Sequence, residues 1–169
     1  MKKIIGLIEK AKASKFHLWM LNTGLNRMIP FNKPHGLRIL EIGDHYLKSI
    51  LPYKHRNFNH IRGIHACALA TLSEFTTGFL LLINLDAAKY RLIMQKLTME
   101  YHYQAKMDAF AYFSVDEKWM QEKVTSVLQS AEKVAVDCTI EIYDSDNNHL
   151  ATGTVTWQIK NWSKVKTKM

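Results

Sequence analysis

The most regular signal in this chain is alternation. Val134, Val136, Cys138, Ile140 and Ile142 alternate with Ala135, Asp137, Thr139, Glu141 and Tyr143. After a turn at 144–148, residues 150–159 do the same, with Val155, Trp157 and Ile159 opposite Thr154, Thr156 and Gln158. Residues 93–103 put Ile93, Gln95, Leu97, Met99, Tyr101 and Tyr103 on one side and Met94, Lys96, Thr98, Glu100 and His102 on the other. A period of two with one apolar face predicts half-buried antiparallel strands. A fourth strand, less regular and rich in Phe and Tyr, is expected over 107–115. Two more, at 37–42 and 46–51, flank Gly43-Asp44 and read as a hairpin closed by Pro52.

Against about six strands stands one long apolar run. Between Gly63 and Leu85 the only formally charged side chain is Glu74. This run predicts a central helix over 64–85. Its Ala66, Ala70, Glu74 and Gly78 recur every fourth residue and form one ridge. Three of them are small, which leaves room beside the carboxylate. A charge on a mostly apolar helix is costly to bury unless something uses it or pairs it. Either Glu74 does chemistry, or it finds a buried partner. The economical packing is an α+β fold in which the sheet wraps around the helix. We expect a single domain over 1–169.

Shorter helices complete the pattern. Ile4, Ile5, Ile8, Phe16, Trp19, Met20 and Leu25 predict an N-terminal helical extension over 1–30, packed outside the core or serving as a lid or membrane-surface helix. Residues 30–36 are a turn-rich linker. A short amphipathic helix is expected over 117–129, with Trp119, Met120, Val124, Val127 and Leu128 on one side. Residues 55–62 form a polar loop into the central helix.

Composition changes this picture little. Two cysteines, Cys67 and Cys138, sit in apolar patterns and read as small buried hydrophobes, which fits a reducing cytoplasm. No secretory leader is expected, because the apolar stretch at 4–8 is too short. No membrane span is expected either, since Glu74 interrupts the one candidate. The net charge of +8 favours polyanionic partners, but much of the excess lies in 1–15 and 160–169 and reads as solubilising tails. No motif supports nucleic-acid binding. His55, His60 and His65 lack metal-ligand spacing, so no metal is expected. Neither cysteine has a nucleophile signature, and no Gly-rich phosphate loop is present.

The segment 57–74 carries a resemblance. Asn59, then His65 six residues on, then the small pair Ala66-Cys67, then Glu74 nine residues after the histidine, resembles the signature of hotdog-fold thioesterases of the phenylacetate-pathway (PaaI-like) type. More narrowly, it is similar to a bacterial branch of that superfamily in which Ala follows the histidine. Ala66-Cys67 replaces the usual Gly-Gly, and Gly63 lies two residues before the histidine where three are usual. The resemblance implies a hotdog fold and hydrolysis of acyl-CoA or acyl-carrier thioesters, with coenzyme A entering only as part of the substrate. Glu74 would be the general base or nucleophile. The Ala66 backbone N–H would hold the oxyanion. Asn59 would orient water or the thioester carbonyl, and His65 would support the helix start. Gly63, Cys67, Ala70 and Gly78 would line the substrate site. A rival reading is a non-catalytic acyl-thioester or lipid-binding module; a hotdog dehydratase would need its histidine elsewhere.

Helix arithmetic then bears on assembly. Ala66 and Glu74 are separated by about 12 Å of helix rise. Oxyanion donor and base must both lie within roughly 3 Å of one reacting group. Two antiparallel copies of the helix satisfy this, each N-terminus beside the other chain's Glu74. The resemblance implies the same assembly, a homodimer or a dimer of dimers.

Overall fold

The computed structural model describes residues 2–165, with side chains from residue 5 onward. The side chain of Ile4, the residue Met1 and the end of the basic C-terminal tail lie outside the described residues. Two helices open the chain, α1 (Lys2–Ala13) and α2 (Lys15–Met28). Ser14 separates them as the N-cap of α2, its hydroxyl accepting from the His17 N–H. The strands are β1 (Arg38–Ile42), β2 (Tyr46–Leu51), β3 (Tyr90–Tyr101), β4 (Ala109–Ser114), β5 (Lys133–Asp144) and β6 (His149–Asn161). The long helix α3 (Ala66–Asn84) lies between β2 and β3 in sequence. Between β4 and β5 run α4 (Glu117–Met120), a π turn (Gln121–Thr125) and α5 (Ser126–Ser130).

All six strands join one antiparallel sheet in the order β1-β2-β4-β5-β6-β3. The sheet curls around α3, which packs on β2, β3, β4, β5 and β6. This is the hotdog architecture. Alternation predicted the inner faces of β5 and β6: Val136, Cys138, Ile140, Ile142, Val155, Trp157 and Ile159 are all buried. β4, irregular by composition, also alternates, with Ala109, Ala111 and Phe113 inward.

In β3 the expected faces are corrected. A bulge at Gln95, between the pairs Met94–Trp157 and Lys96–Thr156, inserts one residue and reverses the phase. Tyr90 and Leu92 pack on the core from one side of it, Leu97 and Met99 from the other. Ile93 and Met94 are left exposed.

Two glycines let the helix and the sheet pack closely. A Cβ on Gly153 of β6 would come within 2.6 Å of the Ser73 hydroxyl. A side chain on Gly78 would collide with the indole of Trp157. The hydroxyls of Ser73, Thr76 and Thr77 are buried, and each donates to the carbonyl four residues earlier in α3, so no polar group is stranded there. Thr77 also accepts from the Trp157 indole N–H at 3.0 Å, which pins the ring over the helix.

α1 and α2 pack on each other and against β1, one edge of the sheet; β3 is the opposite edge. Leu21 and Leu25 turn inward from α2. Phe16, Trp19 and Met20, expected on the packing stripe, point to solvent.

Candidate functional site

The loop before α3 is built by its own backbone and by Asn59. The Asn59 Oδ1 accepts from the N–H groups of Ile61 and Gly63 at 3.1 and 3.0 Å, and its backbone N–H donates to the Gly63 carbonyl. This asparagine turn forces Arg62 to φ 59°. Asn59 therefore spends its oxygen on the turn. Its Nδ2 has no hydrogen-bond partner among the described residues, so its donor capacity is unused there. Gly63 is buried against Gln104 and the Ala105 carbonyl, where a Cβ would be tight. Its role in the structure is to let the loop pack; it does not line an open surface.

A second asparagine, Asn57, is almost fully buried. Its amide donates to the carbonyls of His35 and Pro52, its oxygen meets the His35 ring, and its own carbonyl accepts from the His65 N–H at 2.7 Å. Asn57 thus ties the linker, the end of β2 and the start of α3 together.

α3 begins at Ala66 with His65 as N-cap. The His65 Nδ1 accepts from the Cys67 N–H at 3.1 Å, an imidazole standing where Ser or Asp is usual. The Ala68 and Leu69 N–H groups bond the His65 carbonyl. The Ala66 N–H has no partner among the described residues. It sits at the positive end of a helix of 19 residues, where an anion is favoured. The Ala66 carbonyl is held by the Tyr101 hydroxyl at 3.0 Å, from the last residue of edge strand β3. Burial, then the nearby Cys67, raise the Tyr101 pKa.

Below this end an open stripe runs down α3. Cys67, expected as a small buried hydrophobe, is instead exposed, because the first turn of α3 faces outward there; Ala70, Thr71 and Glu74 are half-buried, and residues 75–81 are then buried without a break. The Glu74 carboxylate has neither a hydrogen bond nor an ion pair among the described residues, although the backbone carbonyl of Glu74 accepts from the Thr77 hydroxyl at 3.3 Å. Burial raises its pKa. The stripe does not extend to Gly78. The sequence placed Gly78 beside an acyl slot, but the Trp157 ring occupies that space and closes the stripe one turn below Glu74.

Nearby charge is positive. Lys54, Arg56 and Arg62 border the loop, and the Lys54 pKa is lowered by burial and then by Arg56 and Arg38. Cys138, by contrast, is buried, and burial pushes its thiol up to about 12, so it stays protonated at neutral pH. Two surface recesses, of 540 and 780 Å³, follow the seam where β4 and β5 part beyond Ala111–Ile142, lined by residues such as Trp119, Thr139 and Tyr143. Neither touches the α3 stripe.

One chain therefore gathers Asn59, His65, Ala66 and Cys67 at the helix start, with Ala70 one turn and Glu74 two turns further along α3. Sequence reading missed Thr71, Tyr101 and Asn57. Thr71 was reachable, being four residues from Cys67 and three from Glu74 on one face. For Tyr101 no local signal exists, since 35 residues separate it from Ala66.

Comparison with known proteins agrees with this architecture. The family model described as a domain of unknown function (DUF4442) matches residues 18–159. A structure from Pseudomonas aeruginosa, a protein of unknown function designated a probable thioesterase, is similar with a TM-score of 0.76 at 24% identity, over 83% of this chain and 93% of that one. A thioesterase from Haemophilus influenzae matches with a TM-score of 0.69 at 12% identity, over 89% and 94% of the two chains. A protein of unknown function from Chlorobaculum tepidum matches with a TM-score of 0.72 at 13% identity, over 89% and 98%. No curated protein matches the sequence.

Proposed function

Since the chain belongs to the DUF4442 family and has the hotdog fold, we propose that it hydrolyses acyl thioesters, with acyl-CoA as the substrate class. The observation that carries this reading is one pairing on α3. An unpartnered N–H at the helix start, that of Ala66, lies on the same helix as an unpaired, half-buried carboxylate, that of Glu74. The first is suited to a developing oxyanion, the second to activating water. A carboxylate with a raised pKa is the better base near neutrality. The cationic side chains of Lys54, Arg56 and Arg62 suit the phosphates of coenzyme A.

The two groups are too far apart along one helix to act on one carbonyl. A site shared by two antiparallel α3 helices brings them together, so the active form in this reading is a homodimer. The edge strand β3 supports it: twelve residues long, unpaired on its outer side, with Ile93, Met94 and Tyr101 each more than 40% exposed. Tyr101 would then link that edge to the oxyanion donor. In each site Ala66 of one protomer faces Glu74 of its partner, His65 holds the helix start, and Asn59 presents Nδ2 to the carbonyl or water. Ala70 and Thr71 line the acyl group's path.

The deciding experiment is a thiol-release assay with a panel of acyl-CoAs. Turnover with an acyl-length optimum is expected. Acyl-CoA binding without turnover would instead establish the rival, a binding module.

A further inference from the structure

We propose that the helical hairpin α1–α2 docks on anionic lipid bilayers through the outer face of α2. This does not depend on the thioesterase reading. The first 40 residues hold eight Lys and Arg against a single acid, Glu9, and so carry seven of the eight net positive charges. Between residues 10 and 40 there is no acid at all. Lys12 is paired with Glu9 and Asp44. Lys10, Lys15, Arg27, Lys33 and Arg38 are exposed and have no ion-pair partner among the described residues.

The apolar pattern of α2 fits no ordinary surface helix. Leu21 and Leu25 are buried against the protein. The opposite face should be polar. Instead it presents Phe16 at 62% exposure, Trp19 at 61% and Met20 at 39%, with Met28 and Phe31 exposed just beyond. The Phe16 and Trp19 rings stack with centroids 6.0 Å apart, forming one plate. Spacing of 16, 19, 20, 23 and 27 puts the plate and Arg27 on a single stripe, flanked by Lys15. An apolar stripe with Trp and Phe, edged by cations, is the pattern of a helix lying in a bilayer interface.

Charge decides between occupants. A second copy of this face would bring two strongly positive segments together, which is repulsive. Single-stranded RNA would match the charge and stack on Phe16 and Trp19, but Met20 and Met28 offer no ring for a base. A lipid interface accepts all of them. The hairpin lies at the β1 edge, opposite β3, so docking would leave the proposed dimer edge free.

Flotation of the full-length protein with vesicles tests this. Binding is expected to vesicles of phosphatidylcholine with about 30% phosphatidylglycerol, at least about tenfold weaker binding to pure phosphatidylcholine, and weakening in high salt. Phe16→Ser with Trp19→Ser, and separately Lys15→Glu with Arg27→Glu, should each lower binding about tenfold or more while melting stays unchanged. Trp19→Phe keeps the apolar area; it should still bind, yet lose most of the quenching of tryptophan emission by brominated lipid. No binding to anionic vesicles would overturn the proposal. So would binding that the outer-face variants leave unchanged, tighter binding to single-stranded RNA than to vesicles, or a change of oligomeric state in the outer-face variants without lipid.

Discussion

Replacing Ala66 by proline removes one N–H and almost nothing else. Ala66 is the first residue of α3, a position where helices accept proline because its missing N–H has no helical partner. The preceding His65 sits at φ −63°, ψ 138°, the extended region that a residue before proline prefers. The native Ala66 N–H bonds nothing among the described residues, so no hydrogen bond is lost. The stability change should stay within about 0.5 kcal/mol, the range of surface substitutions. For a chain of this size that is a melting shift of about 1–2 °C. If the N–H is the oxyanion donor, its loss should lower kcat by about 10²–10³, equivalent to about 2.7–4 kcal/mol of transition-state stabilisation. Ala66→Gly keeps the N–H and should stay within a few-fold of wild type. The assay is thiol release from the best acyl-CoA, with melting measured on the same samples. A well-folded Ala66→Pro enzyme turning over within about threefold of wild type would refute the assignment and move the oxyanion site away from α3.

Glu74→Gln should lower turnover by about two orders of magnitude or more while substrate still binds. Because burial raises the Glu74 pKa, the folded state holds this proton more tightly than the unfolded chain. Its contribution to stability is thus present below the ordinary carboxylate value and lost as pH rises through the raised one; Glu74→Gln should flatten that slope in denaturation curves, whereas activity should rise over the same window in wild type. Mixing Glu74→Gln with Ala66→Pro protomers should restore about one quarter of wild-type activity if each site takes one group from each chain, since half the dimers are mixed and each has one intact site; a mixture that exchanges subunits and stays inactive would argue against sharing. Ala70→Leu should reduce kcat/KM for long acyl-CoAs more than for acetyl-CoA, by more than tenfold for a difference of a few carbons at about 0.8 kcal/mol per methylene. Gly78→Val should instead act on stability, costing about 1–3 kcal/mol in urea unfolding through its collision with Trp157.

Legibility varied with the range of the interaction. The strands β5 and β6 could be read from alternation because their inner and outer neighbours differ in polarity along the whole ladder. The phase of β3 could not. One extra residue at Gln95 reverses every side chain beyond it, and a bulge leaves no mark in a polar–apolar string. In α2 the apolar residues at 16, 19 and 20 and those at 21 and 25 compete for the same core, and a linear pattern does not say which set packs inward.

The sequence by itself determined the local half of the candidate site. His65 lies next to the residues it caps, and Glu74 stands alone in an apolar helix, so both could be recognised without a fold. What lies around them was decided by tertiary structure. Gly78 and Ala70 are both small residues on one ridge, equally open in a helical projection. Trp157, arriving from β6, fills the space at Gly78 and leaves Ala70 half-open. Tyr101 reaches the Ala66 carbonyl only because β3 ends beside the helix start. Helix periodicity and capping act over three or four residues and can be read from the chain, whereas filling a space depends on which distant side chain arrives there.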